Sequence, residues 1–248
     1  MKNLAAVFWD VDGTIADTEL CGHRVAFNKA FREARINWFW DEKTYIDLLK
    51  ISGGLNRIKF YRDYINDEIS DFECIKIQMK KRVHYENLIK LGKIRPREGV
   101  LRLIEELASN SVRQFIVTTS GRKSLEPLIN SVLNHYSKYF SDYITYEDVD
   151  RHKPYPDAYE LAIRRSKHNP SNCLAIEDSD VGVKAAKSAK LRCLLTLPTW
   201  NSFNINPVEN ANSCVDTLGS LDMPSKLYYG KPLLGKLINI EYLTNIIN

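Results

Sequence analysis

Two aspartates stand one residue apart near the start of the sequence, directly after a short apolar run. Asp10 and Asp12 follow residues 4–9, whose composition is typical of a buried parallel strand. Open α/β sheets bind their ligands at the carboxyl ends of such strands. Two carboxylates at that place are costly unless they meet a cation or a partner charge. The same residues also fit a strand that simply ends at an Asp-Gly turn, so later motifs must decide.

Two further polar motifs could bind the phosphate group of a ligand. Thr119 and Ser120 follow the second predicted strand, where a hydroxyl and backbone N–H groups at a helix start can hold a phosphate. Such turns are more often ordinary helix caps. Lys153 stands beside Pro154 and Pro156, which stiffen the turn, and a fixed cation is what a carboxylate nucleophile facing a phosphate needs. Alone, this lysine could equally face solvent.

A second acidic pair follows a later strand. Glu177 and Asp178 come directly after the predicted strand at 173–176. Alone they could cap a helix. Together with Asp10 and Asp12 they form a set of hard oxygen ligands of the kind that Mg²⁺ prefers. The sequence therefore predicts a magnesium site built from the ends of separate strands.

The elements that position these motifs alternate between strand and helix. After the first strand at 4–9, the predicted strands cover 114–118, 143–145, 173–176 and 192–196. The predicted helices cover 100–109, 156–166 and 181–189, with another from about 123. Strands separated by helices imply right-handed βαβ crossovers. We therefore expect an α/β fold with a doubly wound parallel sheet, a Rossmann-like core.

Residues 18–95 depart from this alternation and have helical periodicity throughout, interrupted at Gly53 and Gly54. Because they follow the first strand, we expect an inserted all-helical cap domain over the ligand end of the sheet. The expected domains are a core of 1–17 and 96–220, a cap of 18–95, and a C-terminal extension of unknown role, 221–248. Two further segments are predicted, a loop at 198–212 and a packing helix within 231–248.

Composition limits the class of protein and of partner. The chain has 248 residues, a net charge of +4 and five cysteines without a CxxC pair, which favours reduced thiols and a cytoplasmic location. It begins directly with the first strand and has no stretch of membrane-span length, so we expect neither a signal peptide nor a membrane partner. Residues 18–95 carry 16 lysines and arginines against 11 acidic residues, too dispersed for a nucleic-acid arm. We expect a monomer with a small anionic partner.

The four motifs in this order, Asp-x-Asp-Gly-Thr, Ser/Thr, Lys-Pro and Glu-Asp, make the chain resemble the haloacid dehalogenase-like phosphotransferases with an inserted helical cap, up to about residue 218. The resemblance implies that Asp10 attacks phosphorus to form an aspartyl-phosphate, and that Asp12 acts first as acid and then as base. It also implies that Thr119 and the Ser120 amide hold the phosphoryl group and that Lys153 neutralises its charge. Asp12 argues against the dehalogenase branch, which lacks this second aspartate.

The same resemblance implies the cofactor and its ligands. Mg²⁺ would be held by the carboxylates of Asp10 and Asp178 and by the backbone carbonyl of Asp12, with Glu177 supporting its water shell. A protein without catalytic activity is disfavoured, because every residue of these motifs is present.

Two groups of cap residues could bind the remainder of a substrate. Glu19 and His23 share one helix face just past the first motif, although a histidine on an apolar face is commonly a core residue. The second group is a glycine turn flanked by cations, with Lys50, Gly53, Gly54 and Arg57. Backbone amides and an arginine fork of this kind can bind a second phosphate.

These cap residues, with the run from Asp17 to Phe31, look like the CbbY family of Rubisco-associated phosphatases that hydrolyse xylulose-1,5-bisphosphate. The resemblance implies that the substrate is this sugar phosphate, an inhibitor of Rubisco. The family commonly has Lys-Glu before the arginine of the glycine turn, where this chain has Leu55 and Asn56. A β-phosphoglucomutase would share the four core motifs and the cap histidine, so isomer formation is the alternative to phosphate release. A non-catalytic Rubisco-binding or regulatory module is the third hypothesis, which the intact motifs disfavour.

Overall fold

The computed structural model describes residues 2–51, 53–199 and 211–248, which fall into two compact units. The first unit comprises Met1–Asp17 and Arg95–Asn248, and the second is the inserted segment Thr18–Ile94. The segment 221–248, predicted as a C-terminal extension of unknown role, belongs to the first unit. The predicted loop at 198–212 lies mostly outside the described residues.

A mostly parallel sheet, seven-stranded over the described residues, forms the first unit. Its strands are β1 (Ala6–Trp9), β2 (Arg113–Val117), β3 (Phe140–Ile144), β4 (Cys173–Glu177), β5 (Arg192–Thr196), β6 (Ser213–Val215) and β7 (Leu227–Tyr229). The order is β3-β2-β1-β4-β5-β6-β7, and only β7 is antiparallel to its neighbour. The predicted doubly wound sheet is confirmed. β6 and β7 were not predicted, because three residues are too few to show a strand period.

The inserted unit is helical in all its described elements. They are a π-helical turn at Glu19–Arg24, α1 (Val25–Glu33), α2 (Glu42–Leu48), α3 (Gly54–Tyr64) and α4 (Asp71–Lys90). Aromatic side chains from α1, α2 and the intervening loop form its core, namely Phe27, Phe31, Trp38, Trp40 and Tyr45. α4 begins at a capping box in which Ser70 and Glu73 exchange hydrogen bonds.

Helices cover both faces of the sheet in the first unit. In the described residues they are α5 (Val100–Ser109), α6 (Arg122–Leu128), α7 (Asp157–Ser166), α8 (Asp180–Ser188) and α9 (Ile240–Ile247). α7 and α8 share a buried cluster with Phe8 and Phe115. On the opposite face, Trp9 Nε1 donates to Gln114 Oε1 at 3.1 Å, and Gln114 Nε2 donates to the Ile104 carbonyl of α5 at 2.9 Å. Successive strand residues alternate between faces, which explains this division.

The C-terminal residues pack against the core. The helix predicted within 231–248 is shorter than expected, because Asn239 caps it and only Ile240–Ile247 is helical. Arg102 of α5 donates to the Ile238 carbonyl at 2.7 Å, and the Ile240 N–H donates to Glu106 Oε1 at 2.8 Å. These bonds join the last helix to α5.

Two expectations drawn from composition can be compared with the structure. All five cysteines are free thiols, and four of them are buried, which agrees with the prediction of reduced thiols. Within the described ranges, no helix combines the length and the apolar character that crossing a bilayer requires.

Candidate active site

The loop after β1 carries the first motif to the carboxyl end of the central strand. The Asp10 N–H donates to the Ile176 carbonyl of β4 at 3.0 Å, so Asp10 extends the sheet pairing by one residue. Gly13 then turns the chain with a φ of +88°, which glycine adopts without a steric penalty. A Cβ at Gly13 would overlap Asp178 Oδ2. The glycine therefore allows this loop to approach the second acidic pair.

Lys153 places its ammonium group among acceptors from three strand ends. Its Nζ donates to Asp10 Oδ1 at 2.8 Å, to Glu177 Oε1 at 2.6 Å and to the Val117 carbonyl at 2.8 Å. Only 4% of the side chain is exposed. Burial opposes the charged form, but the carboxylates of Asp10 and Glu177 outweigh it and raise the pKa of Lys153 above its ordinary range. The ammonium group is thus a fixed positive charge.

Asp10, Glu177 and Asp178 form an acidic cluster beside this lysine. One carboxylate oxygen of each lies within 4.8 Å of those of the other two. Burial, followed by the charge of Asp10, raises the pKa of Glu177 to about 7. Burial and the charges of Asp10 and Glu177 also raise the pKa of Asp178 well above its usual value. Negative charge is therefore in excess here, and a bound cation would relieve it.

The donors of this cluster fit Mg²⁺. Glu177 Oε2 is buried and has no hydrogen-bond partner in the part of the chain that the structure describes. Buried carboxylate oxygens are normally satisfied, so this oxygen suits a cation or its water shell. A Cβ at Gly182 would overlap the Glu177 carboxylate, so that glycine makes room for it. The Asp12 carboxylate is not in the cluster, and a metal contact through its backbone carbonyl stays a prediction.

The turn after β2 brings a hydroxyl group to the second aspartate. Ser120 Oγ donates to Asp12 Oδ2 at 2.6 Å, a contact that the sequence did not predict. The Ser120 N–H donates to Thr118 Oγ1 at 3.0 Å, so the amide predicted to hold the phosphoryl group is already engaged within the turn. Thr118 is buried directly after the strand, whereas Thr119 is exposed. The contact of Thr119 with phosphate stays a prediction.

Tyr159 and Arg97 contact the site from outside the four motifs. The Tyr159 hydroxyl donates to Glu177 Oε1, and burial with the Glu177 charge raises the pKa of Tyr159 well above its usual value. The buried Arg97 guanidinium donates to the Gly13 carbonyl and to carbonyls of the loops after β5 and β6. Helical periodicity predicts Tyr159 only as a core residue. Nothing in the sequence distinguishes Arg97 from a solvated charge.

In the inserted unit, Glu19 and His23 both have partners. Tyr45 Oη donates to Glu19 Oε2 at 2.5 Å, and Lys81 Nζ lies 3.0 Å from His23 Nδ1. Because an ammonium group can only donate, Nδ1 is the acceptor and the imidazole is neutral. Burial, then the charges of Lys81 and Arg57, lower the pKa of His23 well below its ordinary value. The sequence did not predict this contact of Lys81, because a helical lysine is usually exposed, whereas Lys81 lies on the buried face of α4.

The Arg57 side chain forms hydrogen bonds within the segment that contains the glycine turn. Its guanidinium donates to oxygens of Leu48, Tyr45 and Ile51 at 2.9, 3.1 and 3.2 Å. These contacts give Arg57 a structural role, and its contact with a second phosphate stays a prediction. Gly53 and Gly54 lie at the start of α3. Lys50 is exposed, with its Nζ 3.5 Å from the Asp47 carboxylate.

Comparison with known proteins identifies the family. Residues 4–190 match the model of the haloacid dehalogenase-like hydrolases. Protein CbbY of Cereibacter sphaeroides is 34% identical over 194 residues, which cover 78% of this chain and 84% of that protein. The CBBY-like protein of Arabidopsis thaliana is 29% identical, and the match covers 97% of this chain and 76% of that protein.

A solved structure agrees with these matches. A variant of CbbY from Rhodobacter sphaeroides, in complex with xylulose-1,5-bisphosphate, is 31% identical with a TM-score of 0.76. The superposition covers 88% of this chain and 98% of that one. The matched range 4–190 contains the acidic cluster, Lys153 and the inserted helices. The chain therefore belongs to the haloacid dehalogenase-like hydrolases and is a phosphatase of the CbbY type.

Proposed function

We propose that this phosphatase is Mg²⁺-dependent, acts through an aspartyl-phosphate on Asp10, and has xylulose-1,5-bisphosphate as its substrate. The observation that carries the proposal is the position of Lys153, whose buried ammonium group contacts both Asp10 and Glu177 beside Asp178. One cation already faces the nucleophile, and the remaining acidic groups suit a second cation. A phosphate dianion could then approach a carboxylate without prohibitive repulsion.

In the first half of the reaction, Asp10 acts as the nucleophile. A carboxylate oxygen of Asp10 bonds to phosphorus while the bond between phosphorus and the sugar oxygen breaks. Asp12 donates its proton to the departing sugar oxygen, which leaves as an alcohol. Ser120 Oγ, 2.6 Å from Asp12 Oδ2, orients that carboxyl group. The products of this half are the dephosphorylated alcohol and phosphorylated Asp10.

In the second half, Asp12 acts as the base. Its carboxylate takes a proton from water, the water oxygen bonds to phosphorus, and the bond to the Asp10 oxygen breaks. Inorganic phosphate leaves, and both aspartates return to their starting states once Asp12 is again protonated. Lys153 compensates the charge on Asp10 and on the phosphoryl oxygens throughout. Thr119 is proposed to donate its hydroxyl to one of those oxygens.

Mg²⁺, when bound, would supply positive charge that polarises the transferring phosphoryl group. The residues proposed to hold it are Asp10 and Asp178, with Glu177 supporting its water shell. The Tyr159 hydroxyl and Lys153 both contact Glu177 Oε1, which leaves Oε2 of the same carboxylate for that shell. The geometry supports Mg²⁺ binding because one Glu177 oxygen is engaged by protein donors and the other is left for the water shell of the ion.

The choice of xylulose-1,5-bisphosphate rests on the relatives and on the cap. A solved relative of CbbY type is described in complex with this sugar bisphosphate. Glu19, His23 and the glycine turn are proposed to contact the rest of the substrate. A role in removing an inhibitor during carbon fixation, which the family resemblance implies, and a cytoplasmic location, with which the free thiols agree, are further parts of this proposal.

The test is phosphate release by the purified chain with Mg²⁺. Xylulose-1,5-bisphosphate is compared with ribulose-1,5-bisphosphate, β-glucose 1-phosphate and phosphoglycolate, and Asp10→Asn serves as the blank. We expect a strong preference for the first substrate and activity at least ~10³-fold lower in the variant. A profile that favours monophosphates would contradict the substrate. Conversion of β-glucose 1-phosphate to an isomer without phosphate release would indicate a mutase instead.

A further inference from the structure

A short turn that belongs to none of the four motifs follows β3 in the first unit. We call its residues, Tyr146–Asp148, the β3 turn, and residues 118–122, which follow β2 and contain Ser120, the serine turn. The N–H and the hydroxyl of Thr145 both donate to Asp148 Oδ2, at 2.8 and 2.7 Å, so the β3 turn is held together internally. Because β2 and β3 are neighbouring parallel strands, the two turns leave the sheet at the same edge.

Each residue of the β3 turn contacts the serine turn. The Tyr146 N–H donates to the Ser120 carbonyl at 3.2 Å. The Glu147 carboxylate accepts the Arg122 N–H with both oxygens, at 3.1 and 3.0 Å. Arg122 Nη2 donates to Asp148 Oδ2 at 3.0 Å. The second half of the serine turn is therefore attached to the β3 turn through its backbone as well as through a side chain.

Glu147 supplies a cap that α6 lacks in its own sequence. The N-cap residue is Gly121, which has no side chain to accept a hydrogen bond, and residues 122–125 of the first turn include no acidic residue. Hydrogen bonding to the Arg122 N–H lowers the pKa of the Glu147 carboxyl, so it is charged at neutral pH. A Cβ at Gly121 would lie 2.8 Å from Glu147 Oε1, so this glycine allows the carboxylate to approach.

The serine turn connects this cap to the reacting groups. Ser120 Oγ donates to Asp12 Oδ2 at 2.6 Å, while the Ser120 N–H donates to Thr118 Oγ1 at 3.0 Å. The hydroxyl can reach Asp12 only while the backbone of Ser120 keeps its position. That backbone lies two residues before the N–H that Glu147 accepts. Because hydrogen bonds weaken steeply with distance and angle, a displaced turn would lose the contact with Asp12.

We propose that Glu147 is a positioning residue for the reaction. By accepting the Arg122 N–H, it holds the serine turn where Ser120 orients the Asp12 carboxyl group for proton transfer. The inference rests on the proposed function, because it requires Asp12 as acid and base, but it does not depend on which sugar phosphate is the substrate. Charge and position predict opposite effects. A carboxylate near a phosphate-binding turn repels an anion, so its removal would raise activity if charge alone mattered.

The experiment measures phosphate release by Glu147→Ala and Glu147→Gln, with Mg²⁺ and the compound of the substrate panel that wild type hydrolyses fastest. Glu147→Ala should lower kcat about fivefold and change KM less than about twofold, because Asp12 acts in the transition state. Glu147→Gln keeps an acceptor for the Arg122 N–H and should retain most of the wild-type kcat. Glu126→Ala is the matched control, since it removes an exposed glutamate from α6 itself and should behave as wild type.

A double-mutant cycle with Ser120→Ala tests the route by which Glu147 acts. In the Ser120→Ala background, Glu147→Ala should lower kcat less than about twofold, because the contact that it would disturb is already absent. The Tm should fall by the same amount in both backgrounds, since the loss of the α6 cap does not involve the serine hydroxyl. Stability therefore changes independently of Ser120, whereas activity does not. A fivefold loss of kcat in both backgrounds would overturn the inference.

The remaining outcomes separate this inference from the proposed function. If wild type releases phosphate, Asp10→Asn does not, and Glu147→Ala keeps or exceeds the wild-type kcat, the proposed function stands and the inference is wrong. A loss in Glu147→Gln equal to that in Glu147→Ala, or equal losses in Glu147→Ala and Glu126→Ala, would indicate an effect of charge and would also overturn it. If wild type releases no phosphate from any compound of the panel, both are wrong.

Discussion

Lys153 Nζ lies 2.8 Å from Asp10 Oδ1, although the two residues are far apart in sequence and both side chains are almost completely buried. The same ammonium group is 2.6 Å from Glu177 Oε1. The nucleophile is therefore held by a charge that also balances the acidic cluster. Removing either partner leaves the other charge buried without compensation, which is far more costly than losing a surface pair.

The first prediction concerns Lys153→Met. The variant leaves Asp10, Glu177 and Asp178 without their buried cation, so in Mg²⁺-free buffer at pH 7.5 the free energy of unfolding should fall by about 3 kcal/mol. The rate of phosphate release should fall by about 10²-fold or more. Urea titration and a phosphate assay measure the two effects. The control is Lys43→Met at an exposed lysine of α2, and equal stability of the two variants would contradict the prediction.

The second prediction concerns the metal. Addition of Mg²⁺ should raise the Tm of the wild-type protein, because an ion that binds only the folded state stabilises it by mass action. In Asp178→Asn the shift should largely disappear, since the cluster loses one of its three carboxylates. Thermal unfolding with and without EDTA provides the measurement. Asp180→Asn, at an exposed aspartate in the following helix, should respond to Mg²⁺ as wild type does. A full shift in Asp178→Asn would remove this residue from the metal site.

The third prediction separates the two threonines after β2. Thr119 is exposed and its hydroxyl has no described partner, so Thr119→Val should leave the Tm unchanged and reduce kcat/KM about tenfold if it contacts the phosphoryl group. Thr118 Oγ1 accepts the Ser120 N–H, so Thr118→Val should destabilise the fold by about 1 kcal/mol. Parallel assays of Tm and kcat/KM distinguish them. Full activity in Thr119→Val would reject its proposed role.

The fourth prediction is a pH dependence that arises from His23. Burial and the charges of Lys81 and Arg57 lower the pKa of this imidazole in the folded chain, whereas the unfolded chain keeps the ordinary value of 6.5. Below pH 6.5 the unfolded state binds more protons than the folded state. The contribution of His23 to the free energy of unfolding is therefore complete above pH 6.5 and is lost as the pH falls towards the pKa of the folded state. The loss should approach about 1.4 kcal/mol per pH unit.

The measurement compares urea unfolding of wild type and His23→Gln at pH 7.5, 6.5 and 5.5. Titratable groups that both proteins contain contribute equally to the two free energies of unfolding, so their contributions cancel when one curve is subtracted from the other. Wild type should therefore lose more stability than the variant between pH 6.5 and 5.5. Parallel curves over this interval would show that the imidazole keeps its ordinary pKa in the folded protein.

Many strands and helices of the first unit could be predicted, because the patterns that indicate them lie within short stretches of sequence. Apolar runs bounded by turns predicted β1, β2, β4 and β5 to within two residues at either end, and the period of α5 matched Val100–Ser109. β6, β7 and the true start of α9 could not be predicted. Strands of three residues form because they pair with a neighbouring strand, and their short sequences carry no signal of their own. Asn239 caps α9 only because of the way the chain turns at that residue in the folded protein.

The sequence by itself determined which acidic residues meet at the end of the sheet. Asp10 and Asp178 directly follow parallel strands and Glu177 ends one of them, and the carboxyl ends of parallel strands share one edge of the sheet, so the order of the motifs predicted that these three would meet. Spacing along the chain predicted that Glu19 and His23 share a helix face, and both lie in the π-helical turn at Glu19–Arg24.

Only the tertiary structure decided what each of these groups contacts. Tyr159, Arg97 and Lys81 resemble ordinary core or surface residues in sequence, yet packing brings Tyr159 to Glu177, Arg97 to Gly13 and Lys81 to His23. The same packing engages Arg57 with the Leu48 carbonyl of the neighbouring segment. The physical reason is that hydrogen bonds and desolvation depend on distances between segments remote in sequence, which local propensity and periodicity do not encode.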